Sequence, residues 1–555
     1  MEKQRLVVIG AVAAGTKAAS KAKRENPDLD VKIFTKEEYI SYAGCGLPYY
    51  IGGVIKEKNE LVVRTPEIFK SEQDIDIFIK HEVSKIDTSS KTVYVTDLSN
   101  NKQMEYSYDK LVIATGASPI KPPLENIDLK NIFTLRSVKD AFEIRELVDS
   151  GKVNKAVVVG GGFIGLEVAE NLKHRGVDVS LIELAPHILP PFDEELALLA
   201  QNHMIEKGVN IVTGEKVLGF EGQNGVVTKV KSTAGDFDTD IVILSIGVRP
   251  NVKFAVDAGI ELGVTGSIKV DKYMQTNLKD IFAVGDCAEN INLITGLPVW
   301  YPMGSTSNKT GRIAGNNVIN SENMDSMDGV LGTTIVKLFE INAAKTGLSE
   351  RDAKKVGLNI ETILVPATDK AHYYPGNKPI ITKLIADKLT HKILGAQVIG
   401  TGVVDKPIDI IATAISFGAK VEDLTKLDLA YAPPFSMAMS STILAANVML
   451  NKMAGKVDTV SANELKEKMS NNLANIVDVR EEVEFFISAI PGSANIPMAE
   501  LAKRHVEIDK NKETVILICK VGKRAFMSYL QLKQLGFTNI KILEGGMNAY
   551  PYEVE

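Results

Sequence analysis

Two cysteines stand in surroundings that turn a thiol into a nucleophile, and they lie far apart in the chain. Cys45 sits in Ser41-Tyr-Ala-Gly-Cys45-Gly-Leu-Pro48-Tyr-Tyr. Gly46 and Pro48 suit a turn entering a helix, whose positive N-terminal end would lower the thiol pKa. Cys519 opens Cys519-Lys-Val-Gly522-Lys-Arg524 directly after an apolar run ending at Ile518. Successive backbone N–H groups in such a loop form an anion nest for a thiolate or a bound persulfide, and Lys520, Lys523 and Arg524 add positive charge. Cys287, beside Asp286, reads as structural. The three cysteines have neither metal-ligand spacing nor a disulfide framework, so any cysteine chemistry uses single thiols.

Two glycine-rich turns offer a different chemistry, the holding of pyrophosphates. Gly160, Gly162 and Gly165, with Ile164 among them, give the spacing that lets a backbone approach a dinucleotide at a helix N-terminus. Glu183 follows at the end of the next strand, where a carboxylate bonds a ribose 2′-hydroxyl, and no arginine follows to hold a 2′-phosphate, so NADH is favoured over NADPH. The first turn is less regular: Gly10 and Gly15 are in place, but Val12 and Ala13 fill its middle. Its ribose acid is displaced, with Thr35 at the strand end and Glu37 the nearest carboxylate. Taken alone, this turn is as well explained by a plain structural bend.

These motifs need elements to position them. Leu6-Val-Val-Ile9, the glycine turn, an alanine-rich helix ended by Asn26-Pro27, and Val31-Lys-Ile-Phe34 form a βαβ unit. Ala156-Val-Val-Val159, the second glycine turn, a helix to about Arg175 and Val179-Ser-Leu-Ile182 form another, so two nucleotides are expected. From about Val330 to Ala446 the pattern changes to alternating strands, such as Ile335–Phe339 and Ile380–Ile385, and then helices. The apolar periodicity pauses near Lys452 to Asp458, and a further α/β pattern begins at Val460.

The 555 residues exceed one hydrophobic core, and 45% apolar with 24% charged residues suits a globular protein. A net charge of -6 argues against nucleic acid as the main partner. No apolar run approaches the roughly 18 residues of a membrane span. Lys3 and Arg5 before Leu6 imitate a signal peptide, but the strand-to-helix turn explains these residues better, and a cytoplasmic protein is expected.

Further segments add a resemblance. Ala114-Thr115-Gly116-Ala117, Gly247-Val-Arg-Pro-Asn251 and Thr276 to Gly285-Asp286 resemble motifs of the two-dinucleotide flavoprotein disulfide reductases, and the Cys45 loop resembles that of the coenzyme A disulfide reductase group. This resemblance covers Met1 to about Gly455. It implies FAD bound by the first turn with Thr115, Gly116, Gly285 and Asp286, and NADH bound by the second with Gly247. Two-cysteine relatives place the second thiol five positions on, where this chain has Tyr50, so an internal disulfide is excluded and the redox partner is a cysteine oxygen acid, a persulfide or a mixed disulfide with a small thiol. Lys17, Lys21 and Arg24 recur on one helix face and could hold the 3′-phospho-ADP of coenzyme A, or be a solvated face. Ser41, Arg64, Asn308 and Lys309 are further candidates for coenzyme A. His372-Tyr373-Tyr374 and Tyr431-Ala-Pro-Pro-Phe435 resemble segments that reach across a dimer toward the partner's cysteine, which implies catalytic roles for Tyr373 and Tyr431 in a homodimer. Ser436 to Ser440, and Gly44 in place of a frequent asparagine, depart from the family pattern.

Val460 to Glu555 resembles a single-domain rhodanese through Cys519 to Arg524, Asp478-Val-Arg480, Ile490 to Pro497 and Leu543-Glu-Gly-Gly546, with Met547 and Ala489 as departures. The expected fold is α/β: two Rossmann-like domains (1–118 with 250–328 for FAD, 119–249 for NAD(P)H), an α+β dimerisation domain (329–450), a linker (451–458) and a rhodanese-like domain (459–555). The implied activity is reduction of coenzyme A disulfide, coenzyme A persulfide or polysulfide at Cys45, with sulfane sulfur delivered by Cys519. The alternatives are an NADH oxidase or peroxidase cycling through a sulfenic acid, and a coenzyme A-binding redox sensor or sulfur carrier.

Overall fold

The computed structural model describes residues 3–509 and 512–555, in two compact units. The first holds residues up to Leu184 together with Glu215–Val330. In it, parallel strands run side by side in the order Ile281–Ala283, Lys110–Ile113, Arg5–Ile9, Asp30–Phe34 and Asp76–Phe78. Helices and a meander cover both faces of such a sheet, so its strands are continuous apolar runs. The helix Ala14–Glu25 is alanine-rich because Gly304–Asn317 packs directly on it: a Cβ at Gly311 would stand 2.4 Å from the Ala14 carbonyl oxygen. In the second nucleotide-binding unit, Asp178–Glu183, Lys155–Val159, Ile241–Leu244 and Ile132–Thr134 run parallel in that order.

The second unit holds Ala185–Gly214 with Leu331–Glu555. An antiparallel sheet runs in the order Thr334–Leu338, Ile341–Gly347, Ile393–Gly400, Pro379–Asp387 and Ile360–Thr368, with Asp405–Ser416 and Ser441–Met453 against it. The C-terminal sheet is parallel, in the order Thr459–Val460, Ile540–Leu543, Thr514–Ile518, Ala474–Asp478 and Ala494–Asn495.

Residues 185–214, which the sequence assigns to the NAD(P)H-binding segment, join this unit through a buried ionic cluster. The Lys383 ammonium, 3% exposed, lies 3.1 Å from Asp193, 2.5 Å from Glu195 and 2.6 Å from Glu350. Gln397 donates to Asp193, and Lys345 donates to the Pro191 carbonyl at 3.0 Å. Periodicity reports which residues are apolar and is silent about such a cluster. The segment 451–458, expected as a linker, contains the end of Ser441–Met453, the core residue Val457 and Asp458, which accepts from the Tyr529 hydroxyl at 3.0 Å. Among the described residues no helix is long and apolar enough to cross a membrane.

Candidate active sites

The two glycine turns are shaped by their own backbones. At Gly10 and Gly160 φ is +107, and a Cβ would meet the Ala114 and Ser245 carbonyl oxygens at 2.2 and 2.4 Å. Gly15 and Gly165 fold back on Gly10 and Gly160 so closely that a Cβ would lie 1.9 and 2.0 Å from their oxygens. Gly162 differs: beyond its two chain neighbours, no atom of the described residues lies within 4 Å of its missing Cβ, so packing does not demand glycine there. Neither following helix, Ala14–Glu25 or Phe163–His174, has a side-chain cap. Their first N–H groups therefore have no side-chain acceptor and are available to an anion, as pyrophosphates require. The residues fit two dinucleotides on these grounds.

The flanking motifs converge. The Thr115 hydroxyl donates to the Asn251 carbonyl at 2.8 Å, the Asn251 side chain returns a bond to the Thr115 carbonyl at 2.9 Å, and its N–H donates to the Gly116 carbonyl at 3.0 Å. Gly247, at φ +104, opens the strand Val248–Pro250 that pairs with Ala117–Pro119. Asp286 accepts from the Ser307 hydroxyl at 2.9 Å and from Arg136 at 3.4 Å, beside Gly285 at φ +74. Glu37 is half-buried and lines a cavity of about 220 Å³ with Tyr39, Tyr42 and Lys80. Glu183 lies at its strand end, where its carboxylate accepts the Gly161 N–H of the glycine turn. Ile164 is 42% exposed.

Cys45 is exposed, on the short turn Gly44–Gly46. That turn is tied to the first dinucleotide loop, because the Ser41 N–H donates to the Ala11 carbonyl at 2.9 Å with Ser41 at φ +46. Tyr50, where a second thiol would stand, is buried at 3% exposure. The expected lowering of the thiol pKa is not what the protein's own groups produce. The following helix, Leu47–Ile51, has five residues, too short for an appreciable dipole. Although Cys45 reaches the surface, the groups packed around its turn partly desolvate the sulfur and push the thiol up, Glu167 and Asp286 push it further, and Arg136 opposes them. Glu167 is itself pushed up to about 7, chiefly by burial, while it accepts the Tyr49 hydroxyl at 3.1 Å. Sequence reasoning missed Arg136 and Glu167. Arg136 carries no motif beyond preceding the capped helix Val138–Asp149, and Glu167 sits inside the helix of a motif read for its glycines.

Of the coenzyme A candidates, Lys17, Arg24, Asn308 and Lys309 are exposed on the packed helices Ala14–Glu25 and Gly304–Asn317. Lys21 and Arg64 are engaged: Lys21 pairs with Glu25, and Arg64 with Glu72 at 2.9 Å. The open basic face is thus narrower than its spacing predicts, although the missed Arg312 lies exposed on the second helix. Tyr373 and Tyr431 are 64% and 49% exposed, with their hydroxyls 3.4 Å apart.

Cys519 is 1% exposed at the end of its strand, and the Gly522 N–H donates to its sulfur at 3.0 Å. Gly522, at φ +105, leads into Lys523–Gln534, which has no side-chain cap. Lys520 and Lys523 are exposed, but Arg524 does not offer free charge. Its guanidinium grips Glu484 at 2.5 and 2.7 Å and holds that carboxyl down to about 2. Asp478 and Arg480 form a buried pair at 2.6 Å, and Asn495 bonds the carbonyls of both. Cys287 is fully buried, and burial pushes its thiol up, as a structural role requires.

The family model of the pyridine nucleotide-disulphide oxidoreductases matches residues 4–298. The chain belongs to this family. The family's dimerisation domain matches residues 333–443, and a rhodanese-like domain matches 461–551. The family is FAD- and NAD(P)H-dependent. An NAD(P)H sulfur oxidoreductase (CoA-dependent) of Pyrococcus furiosus is 38% identical over 81% of this chain and 100% of its own. Solved structures of the reduced CoADR-RHD of Bacillus anthracis (37% identical, TM-score 0.93, 99% of this chain and 98% of that one) and of an NAD-dependent persulfide reductase from A. fulgidus (40%, 0.92, 99% and 100%) are similar over nearly the whole length. The α/β architecture with two nucleotide-binding units, a dimerisation domain and a rhodanese-like domain is that of this oxidoreductase fold.

Proposed function

We propose that the chain is an NAD(P)H-dependent reductase of coenzyme A disulfide, coenzyme A persulfide and polysulfide that works through Cys45, while Cys519 collects and delivers sulfane sulfur. The observation that carries this reading is an exposed, unpaired thiol on a turn bonded to the first dinucleotide loop, with a buried tyrosine where a second cysteine would be needed. Bound FAD supplies the transfer of two electrons from NAD(P)H to sulfur. Gly10, Val12, Ala13, Gly15, Glu37, Thr115, Gly116, Gly285 and Asp286 would hold it, and the second turn with Glu183 and Gly247 would hold the pyridine nucleotide.

In this reading the Cys45 thiolate attacks one sulfur of coenzyme A disulfide, forming a mixed disulfide and releasing coenzyme A thiolate, or the inner sulfur of coenzyme A persulfide, forming the same mixed disulfide and releasing hydrosulfide. A polysulfide leaves Cys45 as a persulfide and departs as the shortened polysulfide, and two electrons from NAD(P)H return the free thiolate. Arg136 offsets the acidic groups around the sulfur. Lys17, Arg24, Asn308 and Lys309, together with Ser41, hold coenzyme A, and Lys21 and Arg64 join them only by exchanging their carboxylate partners. Tyr373 and Tyr431 act in a homodimer, donating to the leaving sulfur at the partner's site. The segments 1–118 with 250–328, 119–249, 329–450 and 459–555 divide these tasks.

Steady-state NADH oxidation with coenzyme A disulfide tests the assignment. Cys45→Ser is expected to abolish it, and Cys519→Ser to abolish only sulfur transfer from thiosulfate. Full reductase activity in Cys45→Ser would overturn the reading.

A further inference from the structure

A buried carboxylate joins the sulfur-transfer loop to a different domain. The Glu544 side chain is 6% exposed and both its oxygens are engaged. One accepts from the Lys452 ammonium at 2.8 Å and from the Thr459 hydroxyl at 2.6 Å, and the other accepts the Leu364 N–H at 3.1 Å. Lys452, at the end of the helix Ser441–Met453, is held in turn by Glu361 at 2.8 Å and by the Thr362 carbonyl at 2.8 Å. A carboxylate removed from water is tolerated only when its bonds are fully replaced. Two of the three replacements here, Lys452 and Leu364, come from outside the C-terminal α/β domain.

From Glu544 the chain passes into two successive left-handed glycines, Gly545 at φ +72 and Gly546 at φ +57. This turn is wedged between two neighbours. A Cβ at Gly545 would stand 2.8 Å from the Leu364 side chain, and one at Gly546 would stand 2.1 Å from the Cys519 carbonyl oxygen. The next residues grip the cysteine loop directly, with the Met547 N–H on the Cys519 carbonyl at 3.0 Å and the Asn548 N–H on the Lys520 carbonyl at 3.1 Å. Those carbonyls orient the peptides leading to Gly522, whose N–H donates to the Cys519 sulfur.

We propose that Glu544 is a positioning residue for Cys519, which makes the shape of the sulfur-transfer loop depend on Lys452 and on the strand Ile360–Thr368. This rests on the reading of Cys519 as a sulfur carrier. The C-terminal domain is in this sense a docked part of the second unit whose thiol is set from outside.

The test uses the full-length holoenzyme, with Glu544→Leu, Lys452→Met and the double variant. Two experiments are read: steady-state kinetics (kcat and KM) of sulfur transfer from thiosulfate to cyanide, and the pH profile of iodoacetamide alkylation at Cys519, resolved from the other cysteines by peptide mass. Glu544→Leu is expected to lower kcat roughly tenfold with little change in KM and to displace the alkylation profile, because a misplaced reacting group loses rate before affinity. Lys452→Met is expected to do the same more weakly, and the double variant to lose no more than Glu544→Leu, as partners in one network behave. Unchanged kcat and alkylation profile, beside a lowered unfolding midpoint, would overturn the proposal and leave Glu544 a stability residue. Should Glu544→Leu fail to fold, Lys452→Met decides by the same two readouts. Absence of sulfur transfer in the wild-type chain would sink the sulfur-carrier reading, and the alkylation profile would still test the loop.

Discussion

The hydroxyls of Tyr373 and Tyr431 lie 3.4 Å apart, although the residues come from separate loops of the dimerisation domain. The contact joins two phenols on the surface, and the bond from Tyr431 pushes the Tyr373 pKa up. The hydrogen bond between the hydroxyls couples the two groups. Tyr373→Phe and Tyr431→Phe are therefore expected to lower kcat for coenzyme A disulfide by roughly tenfold each, with the double variant well short of the product, as for proton donors that work together. Steady-state kinetics on the three variants checks this, and strict additivity would contradict it.

Glu167 makes Cys45 sensitive to pH. Its carboxyl, pushed up to about 7, raises the Cys45 thiol when ionised. Glu167→Gln removes that charge, so alkylation of Cys45 should shift to lower pH. The stability consequence has a definite sign. Between the ordinary value of 4.5 and about 7 the folded chain keeps a proton that the unfolded chain releases, so stability falls as pH rises through that window. Unfolding midpoints of Glu167→Gln, compared with wild type, should gain between pH 5 and pH 8; a constant difference would contradict the assignment.

Gly162 and Gly160 separate binding from folding. Gly162→Ala meets open space and is expected to fold with full flavin content while the NADH KM rises by roughly tenfold, since the added methyl blocks backbone approach to the pyrophosphate. Gly160→Ala combines a left-handed φ with a contact at 2.4 Å and should destabilise the domain. Thermal unfolding and NADH titration distinguish the two.

Arg524 is held by Glu484. Glu484→Gln should release positive charge toward the Cys519 loop and speed alkylation of Cys519 at neutral pH, an effect that high salt diminishes. An unchanged rate would mean that the guanidinium stays in place without its carboxylate.

Lys383 serves three carboxylates inside the second unit. Lys383→Met leaves Asp193 and Glu195 buried without their cation, while Glu350 keeps its ion pair with Lys354. The change is expected to cost about 3–5 kcal/mol, measurable by denaturant unfolding. A loss below about 1 kcal/mol would show that water reaches the cluster, because exposed pairs contribute no more than that.

The sequence by itself determined the chemistry-bearing turns, because glycine at Gly10, Gly15, Gly160 and Gly165 and lone thiols at Cys45 and Cys519 are local requirements, written in adjacent residues. The strands beside them were legible for the same reason, since burial on both faces of a parallel sheet leaves an unbroken apolar run. Only the tertiary structure decided the electrostatics. Arg136, Glu167, Glu484 and Glu544 act on groups far away in the chain, and charges meet through space, where spacing along the sequence carries no record. The grouping of residues 185–214 with the second unit was decided in the same way, by ion pairs that form only once the sheet exists to bury them.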